Sequence, residues 1–168
     1  MNKFFWIFLI LSMIFSLSLK AEEKIAFIDL DMIINQSEYG KKSFKKIDNE
    51  YEKEKKKLLS IEKELLSKEN EILKQKNILS EEELNKKISS LKKDINDFQN
   101  KRKRTNEKFN TVKLEKTNKM VQNLNVILSK YADDNDISLI IQKKFIVIGK
   151  SGLDVTEEIL KIFNKEVK

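Results

Sequence analysis

The stretch Asn77–Leu84, "NILSEEEL", decides how the long helical part of this chain folds. Ser80 is followed three residues later by Glu83, the spacing of a capping box, in which each residue satisfies a backbone N–H of the other at a helix start. The stretch therefore predicts that one helix ends and another begins near Ser80. The 168 residues include only three glycines and no proline, so few long helices with few interruptions are expected.

Apolar residues recur at every seventh position before this break. They are Phe44, Tyr51, Leu58, Leu65, Ile72 and Leu79. Of the six positions that would complete the seam, four are polar: the set is Ile47, Glu54, Ile61, Lys68, Gln75 and Glu82. The repeat predicts a coiled-coil stripe, but a thin one, within a helical zone that runs from about Ser37 to Asp133.

The stripe resumes after the break. Its members are Leu84, Ile88, Leu91, Ile95, Phe98, Arg102, Thr105, Phe109 and Val112. If the chain folds back near Ser80, facing residues have numbers that sum to about 160. The predicted pairs are Leu65 with Ile95, Ile61 with Phe98, Tyr51 with Phe109, and Leu58 with Arg102. Arms of about 36 residues would make an antiparallel hairpin ~54 Å long. The alternatives are a helix packed inside a globular bundle and one continuous rod.

Beyond Val112 the apolar stripe changes register and widens. It then comprises Thr117, Met120, Val121, Leu124, Ile127, Leu128 and Tyr131. A wider apolar face is typical of a helix that enters a core. The polar residues Asp133–Asp136 are predicted to end this helix in a turn.

A small sheet is predicted from two stretches that flank the helical zone. In "KIAFIDLDMII", the alternation over Lys24–Leu30 is typical of a strand. Ser138–Ile141 and Phe145–Ile148 are predicted to form a hairpin, which gives three strands in all. A final helix follows, with Asp154 and Glu157 as its predicted capping box.

Three short strands cannot hide both faces of a sheet within one chain. We therefore expect the sheet to be completed by other copies of the same chain. The residues assigned to this assembly are Ile25, Phe27, Leu139, Ile141, Phe145 and Val147.

The first 21 residues have the pattern of a secretory signal peptide. Lys3 precedes an apolar run, and Ala21 stands before the polar "EEK". A membrane anchor is the rival interpretation, since the apolar run is slightly short for a span of about 20 residues. Cleavage after Ala21 removes Lys3 and Lys20 from the 34 basic residues and leaves 32 against 27 acidic ones, a net charge of +5. Without cysteine there is no disulfide framework.

Most catalytic sites are excluded by composition, because the chain has no histidine and no cysteine. Gly149-Lys150-Ser151 resembles the end of a phosphate-binding loop, but Lys144 stands where that loop needs glycine. Asp29 and Asp31 form a carboxylate pair with no further ligand nearby in sequence. The sequence therefore predicts no enzyme, no cofactor and no metal site.

One dense basic run, Lys101, Arg102, Lys103 and Arg104, lies in the second arm. Its ordinary interpretation is a solvated helix face, and its functional one is contact with anionic lipid headgroups or acidic clients. The net charge is too modest and too interspersed to indicate nucleic acid.

These pieces together resemble the Skp/OmpH family of periplasmic chaperones over nearly all of residues 22–168. The most specific parts are the first strand, the "DISLII" stretch and the closing "LDVTEEILKIFN". The resemblance implies a homotrimer with a β-barrel body built from all three chains, in a jellyfish-like architecture. Residues 22–36 and 117–168 would form this α+β body, and residues 37–116 the protruding helical arm, with its tip near 77–81.

The resemblance also implies a periplasmic function. Members hold unfolded outer-membrane proteins in the cavity between the arms, without ATP, until membrane insertion. Two other functions stay open from the residues alone. One is a structural coiled-coil protein of the cell envelope, and the other is a protein that binds anionic lipid or polymer through Lys101–Arg104.

Overall fold

The computed structural model describes residues 23–168, so the predicted signal peptide at residues 1–21 lies outside the described residues. Strand β1 spans Lys24–Ile28 and is followed by helix α1, Leu30–Gln36. Two long helices come next, α2 at Glu38–Gln75 and α3 at Glu81–Asp134. Strand β2 at Ile137–Gln142 and helix α4 at Thr156–Glu166 complete the order, with short 3-10 turns at Lys143–Phe145 and Ser151–Leu153. The α+β class is confirmed.

The first strand is shorter than its alternation predicted. It ends at Ile28 because Asp29 caps the helix that follows: the Asp29 carboxylate accepts a hydrogen bond from Met32 N at 2.9 Å. Asp31 lies in the first turn of that helix, where an acidic side chain interacts favourably with the positive end of the helix dipole. The expectation that the first strand continues to Leu30 is therefore wrong.

The junction of α1 and α2 is a close backbone approach. Ser37, fully buried, caps α2 and accepts a hydrogen bond from Gly40 N at 3.1 Å. A Cβ atom at Gly40 would lie 1.9 Å from the carbonyl oxygen of Ile34. Only glycine lets the two helices meet this closely at position 40.

The helical hairpin is confirmed. Ser80 and Glu83 form the predicted capping box at the start of α3, and the chain turns back between Gln75 and Glu81. The rings of Tyr51 and Phe109 meet edge to face with centroids 5.2 Å apart, the pairing that the sequence predicted. Nearer the tip, Lys68 Nζ lies 2.7 Å from Asp94 Oδ2.

Arg102 was paired with Leu58 by the fold-back of the two arms. Leu58 is buried and Arg102 is exposed, but the guanidinium lies 5.9 Å from the centre of the Phe98 ring, one turn away on the same helix. A cation–π contact therefore holds its head against the arm.

A small core lies where the hairpin meets the chain ends. It packs the last third of α3 against α1, α4 and one face of the sheet. Its most buried members are Ile33, Met120, Leu124, Ile159 and Phe163. Tyr131 and Glu158 join α3 to α4 by a hydrogen bond, and burial together with this bond raises the pKa of the Tyr131 hydroxyl to about 12. The widened stripe predicted beyond Val112 thus enters a core as expected.

The sheet has two strands, and the predicted hairpin at its end is wrong. β1 and β2 pair in parallel, with Ile25 opposite Leu139 and Phe27 opposite Ile141. The stretch predicted as a third strand, Phe145–Ile148, forms no strand among the described residues. A 3-10 turn starts at Lys143 directly after β2 and carries the chain away from the strand edge.

The cap of the last helix also differs from prediction. Val155 precedes α4 without a side-chain cap, and Glu157 does not complete a capping box. Asp154 instead accepts a hydrogen bond from Thr156 N at 3.0 Å and another from the Thr156 hydroxyl. Within residues 23–168, no helix has both the length and the hydrophobicity that crossing a membrane requires.

Replacing Gly40 by alanine tests the helix junction. The added methyl group would overlap the Ile34 carbonyl oxygen, and backbone cannot yield as a flexible side chain does. We expect Gly40→Ala to lower the free energy of unfolding by about 3 kcal/mol, the upper end for overpacking. Urea unfolding followed by circular dichroism measures this loss. Gly152→Ala is the matched control, because nothing lies within 4 Å of its added atom; equal stability of the two variants would contradict the close approach.

Candidate functional site

The two faces of the small sheet have different surroundings. Neighbouring residues of a strand point to opposite faces. Ala26, Ile28 and Ile140 face the core, and the opposite face carries Ile25 and Leu139, which are 43% and 51% exposed. This second face is therefore apolar but incompletely covered by its own chain.

Phe27 lies on the second face yet is buried. The segment after β2 folds over its ring: a Cβ atom at Gly149 would lie 2.9 Å from Phe27 Cε1, and Lys143 Nζ lies 6.0 Å from the ring centre. Phe27 was assigned to contacts between chains, and in this chain it anchors the segment that follows β2.

That segment, residues 143–154, is a loop closed at its base. Lys143 Nζ lies 2.7 Å from Asp154 Oδ2, so the first and last residues of the loop form an ion pair. Burial raises the pKa of the Asp154 carboxyl, but hydrogen bonds from Lys143 and Thr156 outweigh burial and leave that pKa below its ordinary value. The hydrogen bond to Asp154 also raises the pKa of Lys143. The base of the loop is thus held by charge as well as by Phe27.

The top of this loop presents large apolar side chains to solvent. Phe145 is 71% exposed, Val147 100% and Ile148 91%. We call these three residues, with Ile25 and Leu139, the apolar crest. A patch of this kind marks an interaction surface in a soluble protein.

The sequence found most of the crest but missed Ile148. A strand over Phe145–Ile148 would have pointed Phe145 and Val147 to one face and Ile148 to the other. Because no strand forms, both sets of side chains are exposed. Of the remaining assigned residues, Ile141 is half-buried and lines a groove between β2 and α3.

The basic run Lys101–Arg104 lies on α3, with all four side chains exposed. Antiparallel pairing brings residues 53–57 of α2 to the same level, as the contact of Tyr51 with Phe109 indicates. Residues 53–57 contribute four lysines, and residues 101–108 contribute five basic residues, against only Glu54 and Glu107. We call these two stretches the basic belt. Glu54 is neutralised locally: a hydrogen bond from Lys57, with Lys101 and Lys108 nearby, lowers its pKa.

Only one half of the basic belt stands out in the sequence. The run at residues 101–104 is conspicuous in the sequence, whereas the lysines at 53–57 are interrupted by Glu54 and resemble an ordinary charged helix. The fold-back near Ser80 already predicted that these two stretches meet, because their residue numbers sum to about 160. The spacing of the sequence therefore contained the information needed to find the belt.

Comparison with known proteins gives the family. Residues 24–163, from the first residue of β1 to the last turn of α4, match the family described as outer membrane protein (OmpH-like). This chain belongs to the OmpH-like family. The OmpH-like match covers the body and the arm together, as the resemblance in sequence predicted.

The fold of this OmpH-like chain agrees with a solved structure. A crystal structure from Caulobacter crescentus CB15, of a protein described as a "putative outer membrane chaperone (OmpH-like)", superposes with a TM-score of 0.78. The match covers 88% of each chain at 13% sequence identity, so it supports the fold and not the residues of the site. No curated protein matches the sequence.

Removing the Asp154 carboxylate tests the closed base of the loop. A folded pKa below the unfolded value adds stability above the unfolded pKa, and this stability is lost as pH falls through the folded pKa. We therefore expect the stability of the natural chain to fall more steeply than that of Asp154→Asn as pH drops from 5 to 3. Urea midpoints across this window measure the slopes.

An exposed carboxylate on the arm serves as control. Asp97 makes no salt bridge among the described residues, and Asp97→Asn should retain the slope of the natural chain. Parallel slopes for the natural chain and Asp154→Asn would show that the ion pair does not hold the loop.

Proposed function

We propose that this OmpH-like protein is an ATP-independent holdase chaperone of the periplasm. It binds unfolded outer-membrane β-barrel proteins and prevents their aggregation before membrane insertion. The observation that carries the proposal is the arm itself, a two-helix hairpin that bears half-exposed apolar side chains among its charges. Such a surface can make many weak contacts with chains of different sequence, as adaptable binding surfaces do.

The apolar crest supports association of identical copies, and the family resemblance supplies the count of three for this working unit. The core of one chain is small, and the crest leaves Val147 and Ile148 almost completely exposed. Other copies that cover the crest would extend the two-stranded sheet into a shared body formed by residues 22–36 and 117–168. Residues 37–116 would then project as arms around a cavity. After removal of the predicted signal peptide, the secreted chain would be in the periplasm, through which unfolded outer-membrane proteins pass.

The polar seam argues against a structural tether as the main function. Lys68 pairs with Asp94, and Gln75 Oε1 accepts a hydrogen bond from Lys87 Nζ at 2.8 Å. Exposed pairs of this kind contribute about 0–1 kcal/mol each. The two helices of the distal arm are therefore held together more loosely than the helices of a structural coiled coil would be.

The first measurement joins assembly to function. Residues 22–168 are mixed with an unfolded outer-membrane β-barrel protein diluted from urea, without nucleotide, and aggregation is followed by light scattering. We expect suppressed scattering and a complex of three chains per client. Val147→Asp should dissociate the trimer and abolish suppression, because a buried unpaired carboxylate destabilises an interface by several kcal/mol.

The control places the same charge elsewhere. Ile78 lies at the tip of the arm and is 82% exposed, so Ile78→Asp should leave the trimer intact. A folded trimer that leaves scattering unchanged would contradict the holdase function. Full suppression by the monomeric Val147→Asp chain would contradict the role of assembly.

The basic belt favours a second function, contact with anionic lipid headgroups. Nine exposed basic side chains at one level of the hairpin attract a negative surface within a Debye length, about 8 Å at physiological salt. Neutralising Lys101, Arg102, Lys103 and Arg104 to glutamine should weaken binding to phosphatidylglycerol vesicles at least about tenfold, at roughly 1 kcal/mol for each charge near the surface. Cosedimentation with the vesicles measures this.

A variant of equal net charge is the control. Lys86, Lys87, Lys92 and Lys93, changed to glutamine in the distal arm, remove the same charge from outside the belt. Equal loss in both variants would mean that overall charge, and not the belt, attracts the vesicle.

A further inference from the structure

Three leucines form a second apolar line on the arm, away from the seam. Leu59, Leu66 and Leu73 of α2 are seven residues apart and are 48%, 54% and 63% exposed. Each directly follows a seam position, so each points about 100° around the helix from the seam. We call these three residues the leucine stripe. None of the three leucines belongs to the core or to the seam of the hairpin.

The spacing of the stripe fits another helix better than an extended chain. Seven residues advance a helix by about 10.5 Å, and a partner helix with the same repeat presents side chains at the same interval. An extended strand presents one face about every 6.8 Å and falls out of step within two residues. The partner that this periodicity matches is a helix with a heptad repeat, and the arm of a second copy has that repeat.

The flanks of the stripe fix the direction of such a partner. Glu62 and Glu69 lie along one side of the stripe, and Lys56 and Lys63 along the other. None of these four side chains takes part in a salt bridge within the part of the chain that the structure describes. Two antiparallel stripes would place Glu62 beside Glu69 of the other copy. Parallel stripes in register place the acidic flank of one copy beside the basic flank of the next.

We propose that the leucine stripes of neighbouring chains in one assembly pack against each other, parallel and in register. The contact rests on the assembly proposed above. Three half-exposed leucines offer far less than the roughly 800 Å² per partner that a stable interface between free proteins buries. Chains already joined at the body hold their arms at an effective concentration in the millimolar range, where a weak contact forms.

The chain contains no cysteine, so single introduced thiols report this contact without interference. Leu66→Cys in residues 22–168 is oxidised mildly without client, and covalent dimers are followed on a non-reducing gel. A disulfide needs Cα atoms within about 7 Å, which in-register stripes provide. We expect Cys at 66 to link at least about tenfold faster than Ser67→Cys, the matched control, which a turn of about 100° moves off the contact.

Mixed assemblies test the direction. Chains with Leu59→Cys and chains with Leu73→Cys are refolded together, and linked peptides are identified by mass spectrometry. Parallel stripes give 59–59 and 73–73 links, and predominant 59–73 links would overturn the proposal. The linking rate should not change with tenfold dilution, because the contact lies within one assembly; a rate that falls in proportion to concentration would also overturn it.

Sizing the same samples separates the two proposals. A chain that is monomeric in solution would contradict the proposed trimer and, with it, the stripe contact. An intact trimer in which Cys at 66 links no faster than Cys at 67 would overturn the stripe contact alone.

Discussion

The joint between the first strand and the last helix holds the rest of the molecule in place. Val155 N donates to the Phe27 carbonyl at 3.0 Å, and Asp29 N donates to the Thr156 hydroxyl at 2.8 Å. These bonds join residues more than 120 positions apart. The long hairpin therefore begins and ends at two segments that are bonded to each other. The same joint positions α4 so that Asn164 accepts a hydrogen bond from Glu38 N and caps the start of the arm. The direction in which the arm leaves the body is therefore set by the chain ends.

The joint also determines which apolar groups the chain cannot cover. With Phe27 O engaged by Val155, the loop between β2 and α4 must return across the Phe27 ring, and its base closes through Lys143 and Asp154. A loop constrained at both ends pushes its middle residues outward, where Val147 and Ile148 find no cover. The exposed crest is thus a consequence of the same contacts that complete the core. The exposed crest is the surface that the proposed association of identical copies would cover.

Sequence alone predicted the features whose partners are local or periodic. The box at Ser80 and Glu83 involves four residues, and the pairing of Tyr51 with Phe109 follows once the fold-back point is known. The failures share a different cause. Asp29 ends the first strand early by capping α1, and Phe145–Ile148 is kept from pairing by the joint with Phe27, a contact across more than 100 residues. Of the site, the apolar residues of the crest could be predicted by type, but their exposure depends on this non-local joint.

Charge divides the arm into two zones that behave differently when copies come together. The belt carries nine basic residues against two acidic ones, whereas residues 59–100 carry eight basic against nine acidic. In the proposed assembly, the belts of neighbouring chains would repel each other, and salt would limit that repulsion to separations of about 8 Å. The nearly neutral distal zone has no such barrier, and it is the zone that carries the leucine stripe. Arms held apart at the belt and joined along the leucine stripe would enclose a space whose walls are basic near the body, and an acidic stretch of an unfolded chain would find a complementary surface there.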